Sequence, residues 1–153
     1  MGLSQWVGRE NWPLAWIKTV KEMKVLGFIV CPQYADTLRC SWNSVFKGFQ
    51  RTIYSWESRT LTSLQQRVKV TKVFALSKLW YVAQVLPLLL AVLKKIESVL
   101  SAFIFKGRHE RLKLADLENT EEEGGLGLTC VATTAECLLL RQSLRILERK
   151  EEN

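Results

Sequence analysis

Histidine is nearly absent, with His109 the only one in 153 residues. It lies in the charged run "RHER", so Ser41, Ser77 and Ser101 have no imidazole partner, and serine-hydrolase chemistry is not expected. Four cysteines, Cys31, Cys40, Cys130 and Cys137, form two separated pairs. Neither pair has the two-residue gap of a zinc knuckle, so they read as reduced thiols of an intracellular protein. Long apolar runs are missing too. The longest, "YVAQVLPLLLAVL" over 81–93, spans 13 residues and is interrupted by Gln84 and Pro87, too short for a bilayer crossing. "MGLSQWVGRENW" has no apolar signal-peptide core, and Trp6 stands where a myristoylation site wants Ser or Thr. The expectation is a soluble chain without a membrane partner, nuclear or cytoplasmic and not secreted.

What the chain has is apolar surface and positive charge. Hydrophobic residues make up 48%, with six Trp and six Phe, enough for a packed core and for a face that expects a partner. The net charge of +7 is unevenly spread. Residues 1–56 carry seven Lys/Arg against three acids, residues 57–112 ten against three, and residues 113–153 five against nine. A basic body with an acidic end suggests a polyanion-binding surface, with nucleic acid first among polyanions.

The periodicity predicts a mainly α fold: a short N-terminal β-hairpin followed by a bundle of about four helices. "AWIKTVKEMKVLGFIV" over 15–30 reads as two strands, with Lys21–Glu22 as the turn and Gly27 as a bulge or close approach inside the second. Two strands alone are marginal in water, so the hairpin wants a sheet that the chain does not supply. Leu38, Trp42, Val45, Phe46, Phe49, Ile53 and Trp56 then mark one amphipathic helix. Asp36 reads as its N-cap, the helix starting near Thr37. "TSLQ" (Thr62 to Gln65) has capping-box spacing before a helix that Pro87 stops. Leu64, Val68, Ala75, Leu79, Val82 and Leu86 share a face of that helix. Val70, Val73, Phe74 and Tyr81 lie on other faces, which predicts that it is largely enclosed. A third helix is expected over Leu88–Lys106, closed by Gly107. "ENTEEEGGLGL" reads as a turn-rich connector with left-handed glycines, lacking the Lys-Ser/Thr of a phosphate loop. The last helix is expected from Thr133 or Thr134 to Arg149, burying Cys137, Leu138, Leu140, Leu144 and Leu147.

The basic residues recur across these elements. Arg39, Lys47 and Arg51 lie on the first helix, and Arg67, Lys69, Lys72 and Lys78 on the second. Lys94, Lys95, Lys106, Arg108, Arg111 and Lys113 follow. A single helix with such a stripe would be an ordinary solvated face. The same sign on three consecutive elements, with Tyr54, Trp80, Tyr81 and Phe105 interleaved, favours contact with phosphate backbone. No side chain is assignable to base readout, so the expected partner is an RNA–DNA or DNA duplex bound without sequence preference.

The order of "KVLGFIV", a helix with "SW", "LTSLQQRVKV", "LSKLWYVAQVLPL", "KKIESVLSAFIFKG" and "GGLGLTCV" resembles the region after the polymerase palm in LINE-type (non-LTR) retrotransposon reverse transcriptases. The resemblance covers most of the chain. It implies that residues 1–33 are the end of a palm with a primer-grip-like hairpin at Lys24, Leu26 and Gly27. Residues 34–113 would be a helical thumb gripping template–primer duplex, and residues 114–153 a Gly-rich connector with a C-terminal helix. Such enzymes carry a catalytic Tyr-Ala-Asp-Asp before the Lys-x-Leu-Gly strand. Here "QYADT" follows that strand and has Thr37 in the fourth place, so it is not that site. The resemblance therefore implies a catalytically incompetent fragment, with no cofactor of its own. The Mg²⁺ would belong to the missing palm, and that palm or a parent polyprotein would be the protein partner. The alternative is a helical protein-interaction module, or a retroelement relic with no nucleic-acid role.

Overall fold

The computed structural model describes residues 22–151 apart from 26, 62 and 107–112. The strands expected around Trp16, Ile17 and Val20, and the sites at Leu26, Gly107, Arg108 and Arg111, lie outside the described residues. A two-stranded antiparallel hairpin, β1 (Met23–Val25) and β2 (Phe28–Val30), precedes the helices. Its register pairs Met23 with Val30, Lys24 with Ile29 and Val25 with Phe28. This hairpin turns at Gly27, and the turn expected at Lys21–Glu22 includes Lys21, which lies outside the described residues. Gly27 has φ +93°, a left-handed conformation that glycine adopts without strain, so it makes the turn instead of bulging a strand. A Cβ there would meet the Tyr81 ring at 3.4 Å, so the close approach is by a side chain rather than by another backbone.

Helix α1 (Tyr34–Glu57) begins a turn earlier than the periodicity predicts. Gln33 occupies the N-cap without a side-chain bond, and Asp36 lies inside the first turn. There its negative charge faces the positive end of the helix and accepts a 2.8 Å hydrogen bond from Arg39. Thr37 and Ser41, one turn apart on this helix, tie it to the hairpin. Ser41 Oγ accepts from the Ile29 N–H (2.9 Å) and donates to the Ile29 carbonyl (3.1 Å). Thr37 Oγ1 accepts from the Cys31 N–H (2.9 Å) and donates to the Cys31 carbonyl (3.2 Å). Two hydroxyls thus replace a third strand along the outer edge of β2.

The second helical segment is interrupted. Ser63 caps α2 (Leu64–Val70) in a capping box with Gln66, one residue later than expected. Both Thr62-x-x-Gln65 and Ser63-x-x-Gln66 fit the motif, and the second is the one formed. A π turn over Thr71–Ala75 follows, closed by the Leu76 N–H donating to the Thr71 carbonyl at 2.9 Å. Helix α3 (Ser77–Ala83) continues beyond it, and the chain leaves helical geometry ahead of Pro87. The extra residue of a π turn rotates all that follows by about 100° about the axis. Val68, Thr71, Ala75, Leu76, Leu79, Val82, Ala83 and Leu86 then share one buried face. Val73, Phe74 and Tyr81 are left 61, 46 and 49% exposed, which corrects the expectation of an enclosed helix. Regular counting at 3.6 residues spreads these side chains around the axis, whereas the π turn gathers them outside.

Helix α4 (Leu90–Phe105) buries Val92, Ile96, Leu100, Phe103, Ile104 and Phe105. Lys106 itself takes the left-handed closing position at φ 52°. The core is formed where α1, α3 and α4 meet around Trp42, Phe49, Ile53, Leu79 and Ile96. Trp42 also donates its indole N–H to the Pro87 carbonyl at 2.8 Å, which fixes the end of the α3 segment against α1. A short helix not foreseen from the sequence, α5 (Leu114–Glu118), starts where the Asp116 carboxylate accepts from the Lys113 N–H at 2.7 Å. The acidic turn after it has Gly124 at φ +83° and Gly127 at φ +58°, as the connector reading expects. Gly125 packs directly on the Asn119 backbone, leaving no room for a Cβ.

Helix α6 (Val131–Glu151) begins two to three residues before its expected start. Val131 and Ala135 are buried and Leu138 packs against the core. Cys137, Leu140, Leu144 and Leu147 are exposed instead of buried, because only the first half of α6 lies on the body.

Candidate nucleic-acid interface

The exposed side of the α2–π–α3 segment carries Lys69, Lys72 and Lys78. On an uninterrupted helix, Lys78 would sit about 180° from Lys69; the π turn cuts that to roughly 80°. Lys69 and Lys78 therefore lie on the exposed side with Ser77 and Tyr81, and Lys72 lies toward its edge, its ammonium near Gly127 of the connector. None of the three makes an ion pair with a described residue, so their charge is available to a ligand. Lys69 and Lys72 line a groove with Gln65, Val73 and Leu126, and Glu121 stands on its rim.

A second groove gathers the ends of three helices. Arg59, Arg67 and Lys106 line it together with Trp56, Glu57 and Phe103. The Arg59 guanidinium lies 4.2 Å from the Trp56 ring centroid, a cation–π stack, and Trp56 in turn rests on Phe74 at 5.0 Å. Arg67 Nε donates to the Ser63 carbonyl at 3.4 Å. Its Nη1 is buried and has no hydrogen-bond partner among the described residues. Sequence reasoning named Arg67 and Lys106 and missed Arg59. The signal was there: an arginine three residues past a tryptophan at a helix end places the guanidinium over the indole.

On α1, Arg39, Lys47 and Arg51 are exposed, with Lys47 and Arg51 on the side away from Trp42, Phe49 and Ile53. Arg39 is held by Asp36, an exposed pair worth only about 0.3–0.5 kcal/mol and easily exchanged for a phosphate. Lys94, Lys95 and Lys113 are exposed elsewhere. At the hairpin, Lys24 is exposed on β1, and Phe28 stacks on Tyr81 with ring centroids 5.2 Å apart. Tyr81 lies one turn beyond Lys78, so the hairpin and the lysines of this segment meet at this ring.

Asp36 belongs to no carboxylate cluster among the described residues. Among the described residues, one group of three potential ligands lies within metal-holding distance: Glu22, Cys31 and Cys40. All four cysteines are free. The Cys31 thiol is pushed above its ordinary range by partial burial, then by a hydrogen bond and charge from Cys40 and by the charges of Glu22 and Asp36. No protein-family model matches the chain, and no curated protein matches it.

Proposed function

We propose that this chain is a duplex-gripping helical module, the thumb-like part of a LINE-type reverse transcriptase, without polymerase activity of its own. The observation that carries the reading is the exposed set Lys69, Lys72 and Lys78, none ion-paired with a described residue, along the π-turn segment beside the hairpin. Arg59, Arg67 and Lys106 supply a second cationic groove with an aromatic wall. Cations on rigid helices without base-reading geometry suit phosphate contact on a duplex, RNA–DNA or DNA. The thumb assignment itself rests on the order of motifs along the sequence. A salt titration of binding to a short RNA–DNA hybrid tests it. Affinity should fall steeply with salt and depend little on sequence. Replacing Lys69, Lys72 and Lys78 together by Gln should flatten the log–log slope by about 2 to 3. Salt-insensitive or absent binding sinks the proposal.

A second reading, an interaction module, has its own observation. Cys137, Leu140, Leu144 and Leu147 follow a heptad spacing on the side of α6 opposite Val131, Ala135 and Leu138. Absent duplex binding together with self-association that Leu144→Asp abolishes would favour this reading.

A further inference from the structure

The register of the hairpin and the docking of α1 converge three side chains from three places in the chain. Met23 pairs with Val30, so Glu22 stands across from Cys31, just beyond the last paired residues. Thr37 and Ser41 fasten α1 to the outer edge of β2, and Cys40 lies between them on that helix. The two sulfurs and a Glu22 carboxylate oxygen come within 4.8 Å of one another. Two thiolates on one zinc ion at ~2.3 Å stand roughly 3.7 Å apart in tetrahedral geometry, which this spacing accommodates.

We propose that Glu22, Cys31 and Cys40 form a binding site for a thiophilic divalent cation of the zinc type, with the fourth position open to water. Thiolate ligands select such a cation over Mg²⁺ or Ca²⁺, and the carboxylate completes a borderline-soft set. The position gives the site a purpose. A two-stranded hairpin is marginal alone, and here it is held to α1 by two hydroxyls. A cation bridging Glu22, Cys31 and Cys40 staples the strand before the turn, the strand after it and the helix in one step. The site stands independently of duplex binding.

Cobalt(II) titration of the reduced full chain tests it. One equivalent should produce a thiolate-to-cobalt charge-transfer band in the near ultraviolet, and Zn²⁺ should displace it. Cys31→Ser and Cys40→Ser should each lose the band, Glu22→Gln should weaken binding about tenfold or more, and Cys130→Ser with Cys137→Ser should keep it. Should the Cys31 or Cys40 variants fold poorly, alkylation mapping of the unaltered protein supplies the answer. Zn²⁺ should shield Cys31 and Cys40 while Cys137 reacts as before. No band under reducing conditions, a band that survives Cys31→Ser in a folded protein, or a pair that only oxidises to a disulfide would each overturn the proposal.

Discussion

At the scale of single residues, Ser41 has the largest structural effect for its size. It is fully buried, and its hydroxyl both accepts from and donates to Ile29. Ser41→Ala leaves the Ile29 N–H and carbonyl without these partners in a half-buried place, at a cost of about 1–3 kcal/mol. Urea unfolding should show that loss, and amide exchange at Ile29 should accelerate well before global unfolding. Unchanged exchange would mean that hydrophobic contact, not the hydroxyls, docks the hairpin. Nothing in the local sequence announces this role. Ser41 sits among helix-forming residues, and the strand edge that it serves is twelve residues away. Asp36 misleads for a related reason. A capping residue is recognisable only when the helix start is known, and that start lies at Tyr34, one turn nearer the hairpin.

Among the elements, the π turn at Thr71–Ala75 decides which side chains the body buries and which it offers. Deleting Val73, which is mostly exposed, removes the extra residue and would let α2 and α3 run as one regular helix. The phase is kept across the deletion, because the lost residue's rotation of about 100° is what the π turn absorbs, so Leu79, Val82 and Leu86 still face the core. Stability should stay within about 1 kcal/mol of the parent, read by urea unfolding followed by far-ultraviolet circular dichroism. A loss on the order of 3 kcal/mol or more would show that the π turn is not what sets the phase. The existence of α1, α4 and α6, and the left-handed turn at the glycines, was legible because apolar spacing and Gly placement are local signals. The phase after Thr71 was not legible, since one inserted residue leaves the composition unchanged. Nor was the exposure of Leu140, Leu144 and Leu147. A heptad shows that a face is apolar but not whether this chain covers it. The lysines of the candidate interface could be named from the sequence. Their placement along the segment, and the partnership of Arg59 with Arg67 and Lys106, needed the three-dimensional arrangement.

For the molecule as a whole, charge is divided between a basic body and an acidic end, and the two touch. Glu121 belongs to the acidic turn after α5 and shares a groove with Lys69 and Lys72, while a Cβ on Gly127 would lie 3.6 Å from Lys72 Nζ. A duplex backbone seated on these lysines would bring phosphate close to the Glu121 carboxylate, and like charges there oppose binding. Glu121→Gln removes that repulsion without touching the core, since Glu121 is exposed. Affinity for an RNA–DNA hybrid should rise about 2- to 5-fold at low ionic strength, the scale of one exposed charge interaction. The gain should shrink as salt shortens the screening length from ~30 Å at 0.01 M toward ~8 Å at physiological strength. Fluorescence anisotropy across that range measures both. An unchanged affinity would place the bound backbone away from this groove and move the interface to the Arg59, Arg67 and Lys106 side. An affinity gain that persists undiminished at high salt would point to a change in fold rather than to relieved repulsion.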